Sequence, residues 1–150
     1  MSKLDDLIKK LCPNGVEYKS IGSFISRVKE KAQTRPGIKQ VYVISNSLGM
    51  VVEQEYHENP VNSDDTSNYT IVNPGMCAYN PSRLNIGSIA ILKNNEPSLV
   101  SPMYVVFSID KTIMAEKYFK HLLNSSFVKS KINSYKEEGA RFRFDFSRWE

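Results

Sequence analysis

The 150-residue chain is 41% hydrophobic and 24% charged, close to an ordinary globular domain, which argues against disorder. No apolar run nears the roughly 18–20 residues that cross a bilayer, and Lys3, Asp5, Asp6, Lys9 and Lys10 interrupt the N-terminus before a secretory signal could form. A formal charge of +4 favours a polyanionic partner without reaching histone-like density, so a nucleic-acid reading rests on where the cations sit.

Taken in chain order, Ser2 to Leu11 reads as a helix. Ser2 caps it, Asp5 and Asp6 occupy the favourable first turn, and Leu4, Leu7, Ile8 and Leu11 form one apolar face. Pro13-Asn14-Gly15 forces a turn, after which Val16 to Ile21 reads as a short strand or extended lead-in that Phe24 to Val28 continues. Lys29 to Lys39 turns polar around Pro36-Gly37 and reads as an exposed basic loop. Val41 to Ile44 is a β-branched strand ending in Ser45-Asn46-Ser47, and Met50 to Gln54 a second strand. The polar stretch from Tyr56 to Asn68 reads as a long surface loop.

Further strands are expected at Tyr69 to Val72, Met76 to Tyr79, Gly87 to Leu92 and Met103 to Ile109, with turns at Asn73-Pro74-Gly75 and Asn94 to Pro97. Helical spacing then takes over through Ala115, Tyr118, Phe119, Leu122 and Leu123, restarts at Ser125 or Ser126, and runs through Val128, Ile132 and Tyr135, with Gly139 placed to stop it. In the tail, Phe142, Phe144 and Phe146 alternate with Arg141, Arg143 and Asp145, the period of a half-buried strand. The sum is a single α+β domain over residues 1–150, rich in β, with an N-terminal helix and a C-terminal helical pair.

Cys12 and Cys77 belong to no Cys-x-x-Cys pair; incidental thiols of a cytoplasmic protein are the simpler reading, and a disulfide stays open. His57 and His121 have no partners at metal-ligand spacing, so no metal or other cofactor is expected.

The most informative stretch is Met76 to Ile89, which reads as strand, polar loop, strand. Between apolar flanks it offers Asn80, Ser82, Arg83 and Asn85. Amides and guanidinium groups suit base edges, since Arg pairs bidentately with guanine and Asn with adenine. Plainer uses stand beside this one: Asn80 closing an Asx turn, Arg83 meeting an acid, the whole loop serving as a turn. Ser45, Asn46 and Ser47 are candidates for the same groove, or a turn satisfying its own backbone. Lys29, Lys31, Arg35 and Lys39 are candidate phosphate contacts, and Arg141 and Arg143 could meet DNA or a neighbouring subunit. The tail phenylalanines, Tyr118, Phe119 and Tyr135 read as core.

Four landmarks in order carry a family resemblance. The run Leu4-Asp5-Asp6-Leu7-Ile8 through Leu11-Cys12-Pro13-Asn14-Gly15-Val16-Glu17-Tyr18 opens the chain. Tyr79-Asn80-Pro81-Ser82-Arg83 with Gly87-Ser88-Ile89 follows, then Leu99 to Phe107. Gly139-Ala140-Arg141 with Phe144-Asp145-Phe146-Ser147-Arg148-Trp149 closes it. In this order they resemble a target recognition domain of a type I restriction–modification specificity (S) subunit. The resemblance implies a non-catalytic reader of half a split DNA target, while modification subunits methylate adenine and a restriction subunit cleaves. It also implies that a spacer helix and a second recognition domain, or a half-subunit, would complete the unit; the chain stops at Glu150, before them.

Enzymatic readings fare worse. Asn80-Pro81-Ser82-Arg83 departs from the Asn/Asp-Pro-Pro-aromatic motif of amino-methyltransferases, which stacks an aromatic ring on a flipped base, and no Gly-rich strand-to-helix turn offers a cofactor cradle. Asp64-Asp65 lacks a Glu-x-Lys partner for nuclease chemistry, and Glu17-Tyr18-Lys19 has the spacing without the upstream acid. Two alternatives to the recognition part of a type I complex remain: a protein-interaction module, using the helical face of Leu4, Leu7, Ile8 and Leu11 or the late helices, and a recognition domain belonging to a DNA methyltransferase.

Overall fold

Helix α1 spans Lys3–Leu11 and starts where the capping signals place it. The Asp5 amide donates to Ser2 Oγ at 3.2 Å, and the Ser2 amide donates to Asp5 Oδ2 at 3.0 Å, so each side chain satisfies a backbone donor the helix leaves free. These bonds from Ser2 hold the Asp5 carboxyl below its usual value. All four apolar side chains of the expected face, Leu4, Leu7, Ile8 and Leu11, stand exposed. The computed structural model describes residues 2–53, 65–135 and 142–150.

Among the described residues the further elements are, in chain order, β1 (Ile25–Val28), β2 (Tyr42–Ser45), β3 (Gly49–Val52), β4 (Thr70–Val72), β5 (Cys77–Tyr79), β6 (Ile89–Ile91), β7 (Ser98–Val100), β8 (Val105–Ile109), α2 (Glu116–Leu123) and α3 (Ser126–Ser134). The central antiparallel sheet has the order β1-β8-β5-β6, and the pairs β2–β3 and β4–β7 form two small sheets beside it. Single bridges, Lys31 to Thr70 and Val41 to Leu99, tie the segments around the small sheets together.

Strand alternation divides the core into faces. From β5 and β8, Cys77, Tyr79, Val105, Phe107 and Ile109 face an aromatic cluster with Phe119, Val128, Ile132, Phe144 and Trp149. The intervening Ala78 and Val106 face the opposite way, onto Ile44, Val72, Leu92, Val100 and Tyr104. The middle strands are therefore buried on both sides, and helices α2 and α3 cover the aromatic one. Burial pushes the Cys77 thiol far above its ordinary value, and pushes the Tyr79 phenol up to about 12. Both cysteines are free.

Several expectations change. Of the helical residues read as core, Phe119 is buried, but Tyr118 and Tyr135 are exposed. Of the two readings of Val16 to Ile21, the lead-in holds and the strand does not: Tyr18 is 96% exposed, no neighbouring strand pairs with the segment among the described residues, and Ile21–Phe24 closes as a 3-10 turn. The strand expected at Met103 to Ile109 starts at Val105, and a strand not expected, Ser98–Val100, precedes it; residues 101–104 turn around Pro102 between them, with the Tyr104 amide donating to the Ser101 carbonyl at 3.0 Å. The tail keeps its alternation, with Phe142 and Phe144 buried and Arg143 and Asp145 exposed, yet its described residues join no sheet. A lone backbone bond from the Phe144 amide to the Pro81 carbonyl (2.8 Å) stands where a ladder was expected, and Phe146–Trp149 coils into a 3-10 turn. Gly22 admits that turn: a β-carbon there would sit 3.1 Å from the Trp149 carbonyl oxygen. Gln54, most of the Tyr56 to Asn68 loop and Gly139 lie outside the described residues.

Candidate nucleic-acid interface

The loop between β5 and β6 is built from inward anchors and outward polar groups. Pro81, Leu84 and Ser88 are buried, while Ser82, Arg83, Asn85 and Ile86 point to solvent. The Asn80 amide donates to the Ser88 carbonyl at 3.0 Å, and the Ser88 amide donates to the Arg83 carbonyl at 3.1 Å, closing the loop at its base. Leu84–Ile86 makes one 3-10 turn, and Gly87 ends it at φ 92°, a left-handed conformation that costs a glycine little.

Asn80 is only 8% exposed, and its Oδ1 accepts the Ser82 amide at 3.0 Å. The plainer of its two uses is thus the one observed, an Asx turn that shapes the loop. Arg83 has neither a hydrogen-bond nor an ion-pair partner for its side chain among the described residues, so its guanidinium is open to a ligand.

The turn between β2 and β3 packs beside this loop. A β-carbon on Gly87 would lie 3.7 Å from the Asn46 carbonyl oxygen. Ser45 is buried, and its Oγ accepts the Leu48 amide at 3.2 Å, so it shapes the turn. Asn46, Ser47 and Leu48 project outward. The two polar segments singled out in the sequence thus meet as one ridge, with a groove on either side. One groove, of about 810 Å³, lies under Asn46, Asn85 and Ile86 and reaches Lys93, Lys120 and Lys129. The other, of about 670 Å³, is lined by Ser45 to Ser47, Arg83, Met103 and Tyr104.

Sequence reading missed Lys93, Lys120 and Lys129, which come from the β6–β7 turn and the two late helices. Nothing local marks them; only the fold brings them to the groove. Facing Lys93, through a hydrogen bond and like charge, holds Lys120 below the ordinary lysine value, with Glu116 pulling the other way. That carboxylate is itself paired with Lys111 at 3.3 Å. The exposed apolar tips Leu48 and Ile86, also missed, flank the amides on the ridge.

The remaining candidates stand apart. Lys29, Lys31, Arg35 and Lys39 line neither groove. Lys31 Nζ donates to Thr70 Oγ1 at 3.2 Å, and Arg35 donates to Asn73 Oδ1 at 3.0 Å, whereas Lys29 and Lys39 extend into solvent. Arg143 is paired with Asp145 at 2.8 Å, which offsets its charge locally. Arg141 lies outside the described residues.

No family model and no curated protein matches the sequence. Among solved structures, a chain from "Structural basis underlying complex assembly and conformational transition of the type I R-M system" is similar over 89% of this chain, with a TM-score of 0.62 and 11% identity. This chain spans 36% of that neighbour's length. The likeness establishes a shared β-rich α+β fold with a component of a type I restriction–modification complex. Among the described residues, no helix is long and apolar enough to cross a membrane.

Proposed function

We propose that the chain is a DNA-sequence recognition domain of the S-subunit type, non-catalytic in itself, which directs partner modification and restriction subunits in the cytoplasm to their target on double-stranded DNA. The observation that carries this reading is the convergence of two sequence-distant polar segments into one ridge. Asn46, Ser47, Arg83 and Asn85 face outward there, beside a groove rimmed with lysines. A ridge of short polar side chains with a flanking cationic wall separates the two tasks of DNA reading: base edges give specificity, phosphates give position. On this reading the exposed side chains of Leu48 and Ile86 meet thymine methyl groups. Asn80 and Ser45 support the ridge from beneath, and Lys29, Lys39 and Arg143 belong to more peripheral phosphate contact. The shared fold with a type I complex component supports the same assignment.

A second reading, a protein-interaction element, is favoured by one feature: the exposed apolar stripe of α1. It concerns a different face and is compatible with the first. Titrating a fluorescein-labelled duplex at increasing salt separates them. DNA binding by the ridge and groove predicts that log K falls by about 0.9 for each phosphate neutralised. The absence of salt-dependent duplex binding would leave only the protein-interaction reading.

A further inference from the structure

We infer that Lys93 and Lys120 form a two-cation clamp for a backbone phosphate, placed beside the base-reading ridge on the side of Asn85 and Asn46. This deepens the DNA-recognition reading and rests on it. The two lysines are 27 positions apart in sequence, one in the β6–β7 turn and the other on α2, and both line the groove of about 810 Å³ that the ridge overhangs. Both side chains are exposed, and neither has an ion-pair partner among the described residues. The nearest candidate, Glu116, is engaged by Lys111.

The two ammonium groups lie side by side on the wall of the groove and repel, and the proton affinity of Lys120 is lowered accordingly. An anion bound to both offsets that repulsion, and a phosphate diester offers two non-bridging oxygens to two donors. Compact, flexible ammonium groups suit such a point-charge contact, whereas the planar guanidinium of Arg83 on the ridge suits a base edge. Lys129 of α3 borders the same groove and extends the cationic wall along the path of the sugar–phosphate chain. Phosphate contacts carry no base information, so the clamp sets register and affinity and leaves target choice to the ridge.

The test compares the full chain with the Lys93→Ala/Lys120→Ala variant on two fluorescein-labelled duplexes of unrelated sequence, at several salt concentrations. The expected result is equal weakening on both duplexes and a salt slope shallower by about 0.9 for each phosphate that the variant leaves unneutralised. The Lys93→Arg/Lys120→Arg variant should restore the slope, and an unchanged thermal midpoint shows that the fold is intact. A double-alanine variant with the wild-type slope overturns the clamp while leaving DNA recognition standing. Weakening on one duplex alone also overturns it, since that is the mark of base contact. If the wild-type chain shows no salt-dependent duplex binding, the recognition reading falls and the clamp with it.

Discussion

Replacing Arg83 with alanine is expected to make one position of the recognised DNA sequence degenerate while leaving the protein folded. Its guanidinium has no protein partner among the described residues and stands in solvent, so its removal should change stability by less than about 0.5 kcal/mol. A good bidentate base contact discriminates by about 1–3 kcal/mol, or roughly 5- to 150-fold between the preferred base and a wrong one. Lysine at this position keeps the charge and loses the planar fork. Arg83→Lys should therefore retain the salt slope of binding but show the same degeneracy as Arg83→Ala. Sequencing the adenine-methylated motif made by the assembled modification complex reads this out directly. A motif unchanged in both variants would remove Arg83 from the reading set.

The largest effect on stability is expected from Trp149→Ala. The indole is buried against three rings, with centroids 4.8 Å from Phe144, 5.8 Å from Tyr79 and 6.0 Å from Phe107. It joins the tail to the two central strands. Truncating a buried aromatic to alanine costs about 3–5 kcal/mol, set against a total stability of about 5–15 kcal/mol for a typical domain. The thermal midpoint should fall by roughly 6–20 °C on the usual scaling for this chain length. The damage should also reach the β5–β6 loop. Phe144 donates its amide to the Pro81 carbonyl at 2.8 Å and accepts the Tyr79 hydroxyl at 2.9 Å, so the tail clamps both ends of the segment that leads into Arg83. Denaturant unfolding with duplex binding measured in parallel checks both. A variant of near-native stability would mean that the tail does not hold the core as these contacts require.

Local chemistry explains which parts of the fold the sequence disclosed. Helix α1 was legible because Ser2, Asp5 and the Leu4-Leu7-Ile8-Leu11 spacing all act within one short segment. The alternation of the tail foretold its burial, because side-chain period does not depend on a neighbour. It did not foretell a sheet, which requires a partner strand that the fold supplies elsewhere to β5 and β8. Pro102 was visible, but its power to split the run from Leu99 to Phe107 depends on the separate partners of the two halves, β4 for one and β1 with β5 for the other.

The same distinction governs the interface. Arg83, Asn85, Asn46 and Ser47 could be nominated from residue type alone, and the structure leaves them outward. Asn80 and Ser45 share that chemistry but spend it on their own turns, a difference set by backbone geometry. Lys93 and Lys120 carry no local signal, and their meaning arises only where the β6–β7 turn and α2 come together at the groove. The basic stretch of Lys29, Lys31, Arg35 and Lys39 had the stronger compositional signal, yet it lies away from both grooves.

The proposed DNA-meeting surface is the ridge formed by the β2–β3 turn and the β5–β6 loop. Backbone-amide shift mapping during titration with a duplex carrying the methylated motif tests it most directly. Changes concentrated at Asn46 to Leu48, Ser82 to Gly87 and the neighbouring Lys93 and Lys120 are the predicted result. A silent ridge, with the shifts gathered on α1 or along Lys29 to Lys39, would contradict it.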